Sequence, residues 1–315
     1  MMVELSVVFT ARNDNYGGNL LHRIQTSIDS ILRLGEQNGL DGEIILVEWN
    51  PPADKASLAT ALTWPTDLNH MSARVITVPN GVHERYPNSD RIPLFEYIAK
   101  NTGIRRADGE FVLSTNPDLI YGEDLLKFFA GGNLDANCFY RTHRYDVDRL
   151  VPIEASIDER ESVAKSHVFK YSTVHDGYVA TDRTTMFREE LKRFAEVVGK
   201  NPATARFLVT NPGRVADFLG EIYGNVFSDT SDDEGSADSA SDEDSVALSN
   251  PDNIEDIFLT SSGDFLLMTA EKWAEMHGYP EKHTNLHVDS FGCVSAVKLG
   301  LTQAVLTEPF KISHH

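Results

Sequence analysis

The chain has 315 residues, 41% of them hydrophobic, enough for one sizeable core, and a formal charge of −20. That charge excludes nucleic acid as the main partner, because phosphate backbones are bound by clustered Lys and Arg. Two cysteines, Cys138 and Cys293, stand far apart without metal-ligand spacing, which excludes a disulfide framework. No apolar run approaches the length of a transmembrane segment, and Met1-Met2-Val3-Glu4-Leu5 leads straight into a strand pattern with no signal-peptide character, so a cytoplasmic location is expected.

Leu5 to Thr10 is the first apolar run, followed by Ala11-Arg12-Asn13-Asp14 and a loop composition, Asn15-Tyr16-Gly17-Gly18-Asn19. Leu20, Ile24, Ile28, Ile31 and Leu32 then recur at helical spacing, with Arg23, Gln25, Asp29 and Arg33 on other faces. Glu43 to Val47 suits a strand buried on both sides and ends in Glu48-Trp49-Asn50 before two prolines. A third strand is expected over Ala73 to Val78, a helix over Pro93 to Asn101 with Gly103 near its end, and a fourth strand over Phe111 to Thr115. This alternation predicts an α/β fold, a mostly parallel central sheet with flanking helices.

Tyr140 to about Asn225 shows no clear strand order apart from a helix over Arg183 to Val198. Ser228 to Ser245 carries eight carboxylates among Ser, Gly and Ala and is expected to be a mobile acidic loop. Removing those eight from −20 leaves −12, so the rest of the chain is still acidic. Beyond the loop come a strand over Gly263 to Met268, helices over Ala270 to His277 and Val288 to Leu299, and a last strand over Leu306 to Ile312. The division expected is 1–130 as a nucleotide-binding half, 131–227 as an insertion on the acceptor side, 228–250 as the acidic loop and 251–315 as the half that completes the domain.

Ligands of α/β sheets gather at the carboxyl ends of the strands. Asp118, released by Asn116-Pro117-Asp118 just after the fourth strand, is therefore a candidate to hold a cation against a diphosphate, although the same triplet also makes a good strand-ending turn. The ordered set Thr10-Ala11-Arg12-Asn13-Asp14, Glu48-Trp49-Asn50, Ala99-Lys100-Asn101-Thr102-Gly103-Ile104 and Ala107-Asp108-Gly109-Glu110-Phe111 resembles the family-2-like nucleotide-sugar glycosyltransferases of the GT-A fold. The resemblance covers roughly the first 125 residues and the region from Gly263 onward.

It implies a nucleoside-diphosphate sugar as donor, a glycan or other hydroxyl acceptor, and a divalent cation, Mn2+ or Mg2+. Where that family carries Asp-x-Asp, this chain has Asn116 in the first position, which removes one negative charge from the expected site. The resemblance also implies that a histidine after the last strand closes the cation site. His314 fits that role, although it is also a terminal residue next to His315. Donor binding is expected from Thr10, Ala11, Arg12, Asn13, Asp14, Glu48, Trp49, Asn50, Arg91, Lys100, Asn101 and Asn116. In this set Asn13 and Asp14 would read the base, Glu48 would take the ribose hydroxyls, and Arg12, Arg91 and Lys100 would neutralise phosphate.

Asp289 occupies the place of the family's catalytic base, and its other reading is a helix cap. Asp264 is a second candidate for the base, or an acceptor-orienting carboxylate. Trp49 could stack on a base. Two other readings stay open: a sugar-phosphate nucleotidyltransferase, of which Asn15-Tyr16-Gly17-Gly18 is a faint echo, and a catalytically degenerate fold that only binds sugar or nucleotide.

Overall fold

The computed structural model describes residues 3–172, 177–200, 220 and 245–315. It is an α/β structure. The large sheet has eight strands, and its first four are the parallel set expected from the apolar runs: β1 (Leu5–Ala11), β2 (Gly42–Trp49), β3 (Met71–Val78) and β4 (Phe111–Thr115). β1 lies between β2 and β4, in register Val7↔Ile44 and Val7↔Leu113. After β5 (Leu119–Tyr121), β6 (Cys138–Thr142), β7 (Arg144–Val147), β8 (Val168–Ser172), β9 (Tyr178–Ala180) and β10 (Val246–Ser249), the chain returns to β4 with β11 (Phe265–Thr269), antiparallel. β12 (Thr302–Leu306) and β13 (Ile312–His314) end it. The sheet order is β10-β12-β6-β11-β4-β1-β2-β3, and β5-β13-β7-β8-β9 form a second, five-stranded sheet.

The continuous apolar runs are explained by cover on both faces. Val7, Phe9, Leu46 and Leu113 face one core, closed by α1 (Leu20–Gln37) and α5 (Glu123–Ala130); Val8, Ile45, Val47 and Val112 face another, closed by α4 (Glu96–Ile104) and α9 (Val288–Lys298). α4 lies close on the sheet because Gly103 is in it: a Cβ there would come within 2.4 Å of Val8 Cγ1. The other helices with bounds among the described residues are α2 (Leu58–Ala61), α3 (Asn80–His83), α6 (Ile157–Ser166), α7 (Arg183–Lys200) and α8 (Ala270–Glu275). Among the described residues no helix is long and apolar enough to cross a membrane.

Two expectations are corrected. The last strand does not run from Leu306 to Ile312: those residues join β12 to β13, with Thr307 and Phe310 closing a turn around Pro309, where proline cannot donate to a ladder. The segment without clear strand order supplies the end of β6, inside the large sheet, and β7, β8 and β9 of the second sheet. The acidic stretch, apart from Ser245, lies outside the described residues.

Candidate functional site

The carboxyl ends of β1, β2, β3 and β4 open on one edge of the sheet, and the loops leaving them carry most of the residues singled out from sequence. β11 starts on that edge. Its register with β4 pairs Phe265 with Thr115, which sets Asp264 opposite Asn116. β13 then brings in the end of the chain. It is antiparallel to β5, with His314 opposite Leu119, and parallel to β7, with His314 opposite Asp146. Residues far apart in sequence are thus delivered to Asp118 by ladder registers.

The result is a continuous chain of polar contacts. Arg23, from the first turns of α1, pairs with Asp118. His314 Nε2 stands 3.4 Å from the same Asp118 oxygen, and its Nδ1 is 2.9 Å from Asp146. Arg144 bridges Asp146 and Asp264, at 3.0 and 2.6 Å. Asn116 Nδ2 donates to Asp264 at 2.6 Å, and Asn116 Oδ1 accepts from Lys100 Nζ at 2.8 Å. Lys100 is fully buried and also donates to Glu96 and to the Gly263 carbonyl.

The electrostatics follow from this crowding. Burial opposes the charge on His314, but Asp118 and Asp146 outweigh it and raise its pKa to about 9. Burial likewise opposes ionisation of Asp118 and Asp146, yet His314 with Arg23 on one, and His314 with Arg144 on the other, hold both carboxyls well below the usual range. His315 is pushed down to about 3, chiefly by burial.

Asp289 lies at the start of α9, partly exposed, with one oxygen accepting from Ser262 Oγ at 2.7 Å. Its carboxylate also lies beside Gly263, where a Cβ would be 3.4 Å from Asp289 Oδ2. Gly263 O is held by Lys100, so Asp289 and the polar chain share the turn over residues 261–264.

The expected nucleotide contacts fall into three groups. Arg12, Asp14 and Asn50 form one local set: Arg12 Nε donates to the Asn50 carbonyl at 2.7 Å and Nη1 meets Asp14 at 2.9 Å. Asp14 reaches the surface, while Asn13 is turned inward onto the Ala56 carbonyl. Thr10, Ala11, Glu48, Trp49 and Asn101 are buried in structural roles. Thr10 Oγ1 bonds the Val47 carbonyl, the Glu48 carboxylate takes the Leu58 N–H and the Thr77 hydroxyl, and Asn101 bonds Tyr279. The Trp49 indole donates to His83 and packs against Tyr86 and Phe95, so stacking on a base would require it to leave the core. Arg91 stands apart, 80% exposed beside Asp90.

Sequence reasoning passed over Arg23, Arg144 and Asp146. The helical spacing puts Arg23 on a face of α1 away from the apolar stripe, yet its side chain is only 7% exposed. The loop Asn15-Tyr16-Gly17-Gly18-Asn19, which folds back onto that helix, was the available signal.

Among the described residues no group of three or more His, Cys, Asp or Glu side chains is arranged to hold a metal ion. Asp118 and His314 supply two converging donors, an oxygen and a ring nitrogen. That number fits a hard cation that completes its shell with phosphate oxygens and water. Holding one requires His314 to give up its Nε2 proton and Arg23 to move off Asp118.

No protein-family model matches this chain, and no curated protein matches it. Among solved structures, a crystal structure of S. aureus TarS, residues 1–349, is similar with a TM-score of 0.47 and 10% sequence identity, over 99% of this chain and 60% of that one. The chain thus spans less than two thirds of the length of that structure.

Proposed function

We propose that this chain is a glycosyltransferase that moves a sugar from a nucleoside-diphosphate donor to an acceptor hydroxyl with inversion, assisted by a divalent cation, manganese or magnesium, held by Asp118 and His314. The observation that carries the reading is the meeting of these two side chains, 3.4 Å apart, at the edge where the parallel strands end. A cation bound there neutralises charge on the departing diphosphate. The strand-end motifs shared with the family-2-like enzymes support the same reading.

The roles of the carboxylates follow from their partners. Both oxygens of Asp264 are already engaged, one by Asn116 and one by Arg144, which suits orienting the acceptor rather than taking its proton. Asp289 has one oxygen fixed by Ser262, and no hydrogen bond to the other occurs among the described residues. Asp289 is therefore the base that removes the acceptor proton. On the donor side, Asp14 and Arg12 are accessible at the end of β1, so Asp14 rather than buried Glu48 takes the base or ribose edge.

The test is a screen of uridine- and guanosine-diphosphate sugars with manganese, read first by thermal shift and then by sugar release and transfer. Asp118→Ala is expected to abolish cation-dependent turnover, and Asp289→Ala to lower transfer about 10²-fold or more. Full rates in both correctly folded variants would refute the reading. Pyrophosphate release from a nucleoside triphosphate and a sugar phosphate would select the nucleotidyltransferase instead. Donor binding without any turnover would select the degenerate binding protein.

A further inference from the structure

Arg23 ties the loop before α1 to Asp118, which lies 95 residues beyond Arg23 in sequence. Its Nε donates to the Gly18 carbonyl at 3.1 Å, its Nη2 to the Tyr16 carbonyl, and its Nη1 pairs with Asp118. The loop that supplies the two carbonyls is shaped around the guanidinium. Asn15, Gly17, Gly18 and Asn19 all have positive φ, at 59°, 70°, 77° and 49°, and a Cβ on Gly17 would lie 2.6 Å from Arg23 Nη2. Asn and Gly are the residues that adopt this left-handed backbone at least cost.

Asp118, Asp146 and Asp264 are faced by Arg23, His314 and Arg144, and Lys170 also acts on Asp146. A divalent cation at Asp118 adds two charges to that set and the departing His314 proton removes only one, so a second resident cation has to be displaced. Arg144 is locked between two carboxylates. Arg23 has one carboxylate and two neutral carbonyls as partners, and it lies under a loop whose Tyr16 is 73% exposed.

Resting on the function proposed above, we infer that Arg23 is an exchangeable counter-ion, neutralising Asp118 in the free protein and transferring to the donor diphosphate when Asp118 takes a cation. Diphosphate oxygens are better acceptors for the planar fork than the carbonyls of residues 16 and 18. Leaving those carbonyls also frees the β1–α1 loop to close over the nucleotide. Arg23 thereby couples cation binding to donor binding.

The test measures free manganese by electron paramagnetic resonance while manganese chloride is titrated into wild type, Arg23→Gln and Arg23→Lys at fixed ionic strength, with and without uridine or guanosine diphosphate. Arg23→Gln is expected to bind manganese at least about fivefold more tightly than wild type without nucleotide, because Asp118 loses its competitor. In saturating manganese, equilibrium dialysis of the diphosphate is expected to show it bound at least about fivefold more weakly by Arg23→Gln. Arg23→Lys keeps the charge but not the fork, so its manganese affinity stays near wild type while its diphosphate affinity falls. Weakening of both ligands in Arg23→Gln, as for a purely structural residue, overturns the inference, and so do two unchanged affinities. If Arg23→Gln fails to fold by circular dichroism, undiminished diphosphate affinity in Arg23→Lys overturns it. Wild type that binds no manganese with either diphosphate contradicts the proposed function itself, whereas wild-type binding with the wrong variant pattern removes only the role of Arg23.

Discussion

Replacing Asn116 by Asp restores on paper the two-carboxylate pattern of the resembling family, and the structure predicts that it harms the protein. The Asn116 amide donates to Asp264 at 2.6 Å while accepting from Lys100 at 2.8 Å. Asp can keep only the second contact. The lost hydrogen bond to a charged acceptor is worth about 1.5–3 kcal/mol. Two carboxylate oxygens at 2.6 Å would add about 6 kcal/mol of repulsion at an effective dielectric constant of 20. Uptake of one proton by the pair relieves most of that, at about 1.4 kcal/mol for each pH unit above the proton's midpoint, and the stronger pairing with Lys100 offsets part of the rest.

The net expectation for Asn116→Asp is a loss of about 2–4 kcal/mol at pH 8 that shrinks toward pH 5. The sign follows because the folded variant retains a proton that the unfolded chain releases, so its penalty grows as pH rises. Urea unfolding of wild type and variant at pH 5, 6.5 and 8 measures it. A variant as stable as wild type at pH 8, or a deficit that shrinks as pH rises from 5 to 8, would refute the bridging role of Asn116.

Three further expectations concern separate parts of the molecule. Asp289→Asn should lower kcat by about 10²–10⁴-fold with little change in KM for the donor, since it removes the base but not the donor contacts; steady-state transfer kinetics would show it. Glu36, at the end of α1, accepts the backbone N–H groups of His70, Asn69 and Met71, which hold its pKa down from 4.5 to about 2. Because the folded value is depressed, its stabilising effect is complete above about pH 4.5 and fades as pH falls toward 2, so the difference in urea midpoint between wild type and Glu36→Gln should shrink across that window, and a constant difference would contradict it. Gly103→Ala should destabilise by about 1–3 kcal/mol, read from a thermal melt, because α4 must move away from Val8 and Val47.

The parallel half of the fold was legible because β1, β2 and β4 are apolar on both faces, and no loop composition competes with such runs. β6 was hidden by its own chemistry. Arg141 interrupts Cys138 to Thr142 with a charge, yet it is fully buried, its guanidinium spent on the carbonyls of Phe258, Thr260, Ser262 and Phe265. The burial of Lys100, expected to neutralise phosphate, was hidden for a similar reason: nothing nearby in sequence announces Asn116 and Gly263 as its partners. The candidate site was legible one residue at a time, in Asp118, Asp264, Asp289 and His314. What joins them, through Arg23, Arg144 and Asp146, depends on ladder registers across two sheets, which a single sequence does not display.

The most direct measurement of the central claim is anomalous diffraction from crystals grown with manganese and the diphosphate of the best donor. The account predicts one manganese peak within coordination distance of Asp118 and His314, touching the diphosphate, with Arg23 withdrawn from Asp118. Nucleotide bound over the strand ends with manganese elsewhere, and Asp118 still paired with Arg23, would contradict it.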